Sequence, residues 1–124
     1  MRTILIWDTT TGAETMLRRL TGMLLMMLPL ATALAAEPPS FQIVISDHKF
    51  EPAELQVPAN VKVKLVIENR DATPEEFESY ELNREKIVPG KGTITVFVGP
   101  LKPGKYPFFG EFHQATAQGA LIAK

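Results

Sequence analysis

Residues 61–68 read VKVKLVIE, the cleanest two-residue alternation in the chain. That period belongs to a strand, because successive side chains leave opposite faces of the backbone. Val61, Val63, Leu65 and Ile67 are expected on the core side, and Lys62 and Lys64 in water. A strand with one apolar face needs a second layer to cover it. Shorter extended runs recur at 41–46, 54–57, 76–80, 84–88, 93–98, 105–109 and 119–122.

Turn residues separate the runs. Pro58-Ala59-Asn60 predicts a turn with Asn60 in the left-handed region, and Pro89–Gly92 a second one. Pro103-Gly104 has the residue order of a type II turn. Residues 47–52, ending in Pro52, predict a bend. Ten prolines and eight glycines among 124 residues favour an all-β chain over a helical one. Seven or eight short strands, spaced by roughly ten residues, predict a β-sandwich or barrel of one domain.

The front of the chain reads as an address. Met16–Ala36 has Arg18-Arg19, an apolar run from Gly22 to Leu34, and small residues at Ala33 and Ala35. This pattern predicts an export signal cleaved after Ala35 or Ala36, since the run is short for a spanning helix. An uncleaved anchor is the alternative. Residues 1–15 lack signal character, so Met16 is expected to be the true start. The expected organisation is 1–15 over-extended, 16–36 leader and 37–124 domain. The mature part is then mildly acidic and periplasmic. Formal net charge is only −1, so nothing points to nucleic acid.

The chain has no cysteine. Disulfides, thiolate zinc sites, cysteine nucleophiles and iron–sulfur ligation are all excluded. No acid–base pair or nucleophile suggests hydrolysis. What remains is imidazole and carboxylate. His113 and Glu111 lie in GEFH, a short loop between the two last strands. Glu76 and Glu78 share one face of a strand, either toward a site at the sandwich end or outward as a solvated edge. His48 stands two residues before Phe50, and extended geometry would carry it toward the core rim. Phe77 is the better core candidate within EEFES. The acidic stretch 75–85 reads as a solvated surface or as a funnel for cations. Tyr106, Phe108, Phe109 and Phe112 read as packing.

FEPAELQVPA, VKVKLVIEN, Pro89-Gly90 and LKPGKYPFF together resemble a cupredoxin-like domain over residues 41–123. EEFES with GEFH is similar to the EfeO-type and Ftr-type periplasmic cupredoxin-like proteins of bacterial iron uptake. The resemblance implies a Greek-key β-sandwich, a periplasmic location, iron or copper handling and an inner-membrane iron permease or other uptake component as partner. It also places the blue-copper cysteine at Gly110, the first histidine near Glu75 or Glu76, the second at His113 and the axial methionine near Thr116 or Ala117. Without thiolate there is no type 1 blue-copper site. A metal here would be held by His113, Glu76, Glu111 and His48, a donor set suited to Fe(II)/Fe(III) or Cu(II). The expected function is a periplasmic iron- or copper-binding protein. A ferroxidase-like activity and a metal-free interaction subunit of a transport complex are the competing readings. The separation of His48 from His113 discriminates among them.

Overall fold

The computed structural model describes residues 29–124. The expected over-extended start, residues 1–15, and most of the expected leader lie outside the described residues. Among those described, no helix is long and apolar enough to cross a membrane. The chain divides into two units, Met1–Ala35 and Ala36–Lys124, and the second contains every strand among the described residues.

These strands are β1 (Ser40–Ser46), β2 (Lys49–Glu51), β3 (Glu54–Val57), β4 (Val63–Asn69), β5 (Glu75–Ser79), β6 (Arg84–Val88), β7 (Thr93–Val98), β8 (Gly104–Gly110) and β9 (Gln118–Ala123). They form two sheets, in the orders β2-β1-β4-β7 and β3-β9-β8-β5-β6. The fold is the all-β sandwich expected. Both sheets are mixed: β1 pairs parallel with β4, and β3 with β9, while the other pairings are antiparallel.

Alternation places the core. In β4 it is Val63, Leu65, Ile67 and Asn69 that are buried. Val61 departs from expectation at 42% exposed. Asn60 takes the left-handed conformation (φ 63°), as its residue type predicted, and the ladder begins only at the Val63–Val98 pair. Val61 is thus still in the turn, before any facing strand can cover it. The interior is one apolar cluster from both sheets, centred on Phe50, Phe77 and Phe108. Phe108 meets Phe50 edge-on at 4.9 Å between centroids and Phe77 at 5.1 Å. Such aromatic pairs contribute about 0.5–1.5 kcal/mol each beyond the area they bury.

Residues 47–52 form a hairpin rather than a plain bend. Ser46 pairs with Lys49, leaving Asp47-His48 as a two-residue loop. Both loop residues have positive φ, 52° and 56°, the backbone that such tight hairpin turns require. His48 therefore does not share an extended face with Phe50. It projects from the tip of the hairpin.

Among the described residues, three polar side chains are buried: Asn69, Glu75 and Ser79. Each has partners, as burial in a low dielectric demands. Asn69 donates to the carbonyls of Thr73 and Val88. Ser79 donates to the carbonyl of Pro107 and accepts from the Leu82 N–H. Glu75 is the exception in kind, because it is a carboxylate.

Candidate metal centre

Three elements converge on Glu75. It opens β5, where Glu75, Phe77 and Ser79 alternate inward and Glu76 and Glu78 do not. Phe77 sets this register, being fully buried. The 3-10 turn Glu111–His113 follows β8 and brings His113 over the same sheet end. The β1–β2 hairpin brings His48 from the other sheet.

Glu75 is 1% exposed and both oxygens are engaged. Oε1 accepts the backbone N–H groups of Phe112 (2.9 Å) and Glu76 (3.0 Å). Oε2 lies 2.6 Å from His113 Nδ1. His48 stacks on His113 with centroids 3.6 Å apart and ring planes 11° from parallel. His48, Glu75 and His113 each offer a ligand atom, and these atoms all lie within 4.8 Å of one another. The two histidines thus converge, although the route for His48 is a left-handed turn rather than an extended segment.

The loop after β8 is closed on itself. The Ala117 N–H donates to the His113 carbonyl (2.8 Å), and the Gly110 N–H to the Ala117 carbonyl (2.8 Å). Gly110 has a specific reason to lack a side chain. A Cβ there would lie 2.6 Å from Glu75 Cδ, 2.9 Å from Glu75 Oε1 and 2.7 Å from the Ala117 Cβ. The Glu75 carboxylate fills the space that a side chain at 110 would take.

Glu76 and Glu111 do not join this group. Glu76 lies on the outward face of β5, grouped with Glu78 and Glu85. With Phe77 pointing inward, the two-residue period carries Glu75, and not Glu76, to the inner face. Glu111 is exposed and accepts a hydrogen bond from Gln114. It faces the outer acidic cluster instead, where it helps raise the pKa of Glu76 and Glu78. Glu76 is pushed up to about 7, first by a side-chain hydrogen bond to Glu85, then by burial and the charges of Glu85, Glu78 and Glu111. Glu78 and Glu85 are direct cross-strand neighbours, which places like charges opposite each other.

Sequence reasoning also missed Asp71, between β4 and β5. It accepts the backbone N–H groups of Asp47 (2.9 Å) and His48 (3.0 Å). These bonds, the one from His48 foremost, hold its carboxyl below the ordinary value despite burial.

Two imidazoles and one carboxylate fit a cation chemically. The carboxylate is already stripped of water and held by two backbone N–H groups, so it is oriented before any ion arrives. The donors are oxygen and imidazole nitrogen, which suit copper(II) or iron better than copper(I).

The comparisons with known proteins agree with the fold. The family model described as "Cupredoxin-like domain" matches residues 19–123. An uncharacterized protein of Rickettsia prowazekii (strain Madrid E) is 54% identical over 81 residues, covering 65% of each chain. The chain therefore spans about 65% of the length of that curated relative. Among solved structures, auracyanin A, a "blue" copper protein from Chloroflexus aurantiacus, has a TM-score of 0.61 at 15% identity, covering 71% of this chain and 100% of its own. The metal-binding domain of a Streptococcus pneumoniae Cu(I)-exporting P-type ATPase has a TM-score of 0.57 at 12% identity, covering 74% and 91%. Amicyanin from Paracoccus versutus has 0.53 at 15%, covering 74% and 86%. At these identities the likeness is one of fold.

Proposed function

This chain belongs to the cupredoxin-like domain family, and from that premise we propose that it binds a copper or iron ion through His48, Glu75 and His113. The observation that supports the reading most is the convergence of two histidines from different sheets on a buried, fully hydrogen-bonded carboxylate. Burying a carboxylate is costly unless it is paired, and here the pairing aligns it with two imidazoles able to bind an ion. Of the structural neighbours, auracyanin A is a blue copper protein and the ATPase domain was solved with Cu(I). Where the resemblance would place a soft thiolate at 110, this chain has glycine, and a hard carboxylate, Glu75, stands beside it.

A bound copper or iron ion would supply one-electron redox chemistry. The chain's part is to hold the donors and to exclude water from Glu75, whose Oε2 lies 2.6 Å from His113 Nδ1. Carboxylate and imidazole bind an ion only in their deprotonated forms, so affinity falls as pH drops.

The finer reading is service in ferrous iron uptake, after export to the periplasm and beside an inner-membrane permease. It is supported by the likeness of EEFES and GEFH to the EfeO-type and Ftr-type proteins. Calorimetric titration with Cu²⁺, Fe²⁺ and Zn²⁺ tests the metal reading on wild type and His113→Ala. Binding tighter than millimolar that is lost in the variant supports it. No binding, or binding indifferent to His113, contradicts it. Oxygen consumption during aerobic incubation with excess Fe²⁺ separates a ferroxidase from a carrier: multiple turnovers indicate the first, stoichiometric binding the second.

A further inference from the structure

We propose that Asp71 is a positioning residue: it locks the tip of the β1–β2 hairpin in its left-handed turn and so fixes the His48 ring against His113. This rests on the reading of His48 as a ligand for its purpose, but not for its geometry.

The hairpin tip asks for help. Asp47 and His48 both adopt positive φ without being glycine. Glycine adopts that region freely, and asparagine, aspartate and histidine tolerate it better than other side chains, but two consecutive non-glycine residues there still carry a conformational cost. An unassisted tip of this sequence has other conformations within easy reach, and each would swing the His48 ring away. Asp71 removes that freedom. Its Oδ1 takes the Asp47 N–H at 2.9 Å and its Oδ2 the His48 N–H at 3.0 Å. Two adjacent amides bound by the two oxygens of one carboxylate define the orientation of the peptide between them. The same Oδ2 lies 3.5 Å from His48 Nδ1, so negative charge faces that edge of the ring.

Asp71 is itself held from the core. Its N–H donates to Asn69 Oδ1 at 3.0 Å, and its carbonyl accepts the Lys91 N–H at 2.8 Å. Asn69 is buried in β4 and tied to Thr73 and Val88. Arg70 N–H reaches the Ile45 carbonyl at 2.8 Å, joining the loop to β1. A buried asparagine thus sets an aspartate, the aspartate sets a turn, and the turn sets an imidazole on its partner. The outcome is the parallel stack at 3.6 Å.

The test combines two readouts on Asp71→Ala, Asp71→Asn, His48→Ala and the Asp71→Ala/His48→Ala double variant. The first needs no metal. In the apo protein, NMR of the ring C–H groups reports the stack, because each ring shifts the other's protons upfield. Asp71→Ala should move the His48 signals to solvent-exposed values, while the His113–Glu75 contact persists. Asp71→Asn, with one acceptor oxygen in place of two, should fall between, and it covers the case in which the alanine variant does not fold. The second readout is Cu²⁺ binding, by calorimetry and by the nitrogen couplings of its EPR spectrum. Asp71→Ala should weaken binding about as much as His48→Ala, roughly tenfold or more, and lose one nitrogen coupling. The double variant should then be no weaker than His48→Ala alone, since one residue acts through the other. His48 signals unchanged in both Asp71 variants would overturn the proposal. So would losses that multiply in the double variant. If wild type binds no Cu²⁺, the metal reading fails, and the apo spectra still decide the role of Asp71.

Discussion

Glu75 and Gly110 occupy one space between them: a Cβ at 110 would stand 2.6 Å from the Glu75 carboxyl carbon. The resemblance to blue-copper proteins would place a thiolate at 110 and a histidine near 75 or 76. The Glu75 carboxylate reaches its place only beside a residue with no side chain. The chemistry of the centre is set by this pair.

Gly110→Ala should therefore disturb the centre out of proportion to one methyl group. The neighbours must shift or the Glu75 carboxylate must leave its two N–H donors. Overpacking of this kind costs about 1–3 kcal/mol. Urea denaturation should show that loss, and metal titration should show weakened binding. Adding Glu75→Ala should restore part of the stability only, because the Ala117 Cβ at 2.7 Å remains in the way. Wild-type stability in the single variant would contradict the packing argument.

The outer acidic cluster predicts an unusual pH dependence. Glu76 has its carboxyl raised from 4.5 to about 7, chiefly by the hydrogen bond to Glu85. A raised acid favours the folded state when protonated. That contribution is complete below 4.5 and is lost as pH rises through 7. Glu76→Gln is neutral at every pH, so it should be more stable than wild type at pH 8 and equal to it near pH 4. Thermal denaturation at the two values measures the crossover. A constant difference between the proteins would show that Glu76 titrates normally.

Asp71 predicts the opposite sign. Its carboxyl is held below 3.8, above all by the His48 N–H. A depressed acid stabilises the fold when ionised. The advantage of wild type over Asp71→Asn should be full above pH 5 and should shrink as pH falls below 3.8, through the lowered value. Denaturant unfolding at pH 3 and pH 6 measures it. A gap that widens on acidification would reject the assignment.

Much of the fold was legible in the sequence. The 61–68 alternation, Asn60 and the proline turns marked strands that the structure contains. Phe50, Phe77 and Phe108 were apolar enough to be read as core without a partner in view. The site was harder to read, because it depends on register and on contacts across the sheets. A shift of one residue in β5 exchanges Glu75 for Glu76 and sends the carboxylate to the other face. The alternation from Phe77 contained the answer and was enough to choose Glu75. His48 and Asp71 were not legible in that way. Their meeting depends on a hairpin tip and a loop separated by 23 residues, which no local pattern encodes.

The central claim is that Glu75, and neither Glu76 nor Glu111, is the carboxylate of the centre. Parallel Cu²⁺ and Fe²⁺ titrations of Glu75→Gln, Glu76→Gln and Glu111→Gln against wild type test it most directly. Glutamine keeps an acceptor for the Phe112 and Glu76 N–H groups, so Glu75→Gln should still fold. The account predicts that its affinity falls about tenfold or more, while the other two variants stay within a few-fold of wild type. Wild-type binding in Glu75→Gln, with the loss appearing in Glu76→Gln or Glu111→Gln instead, would contradict it.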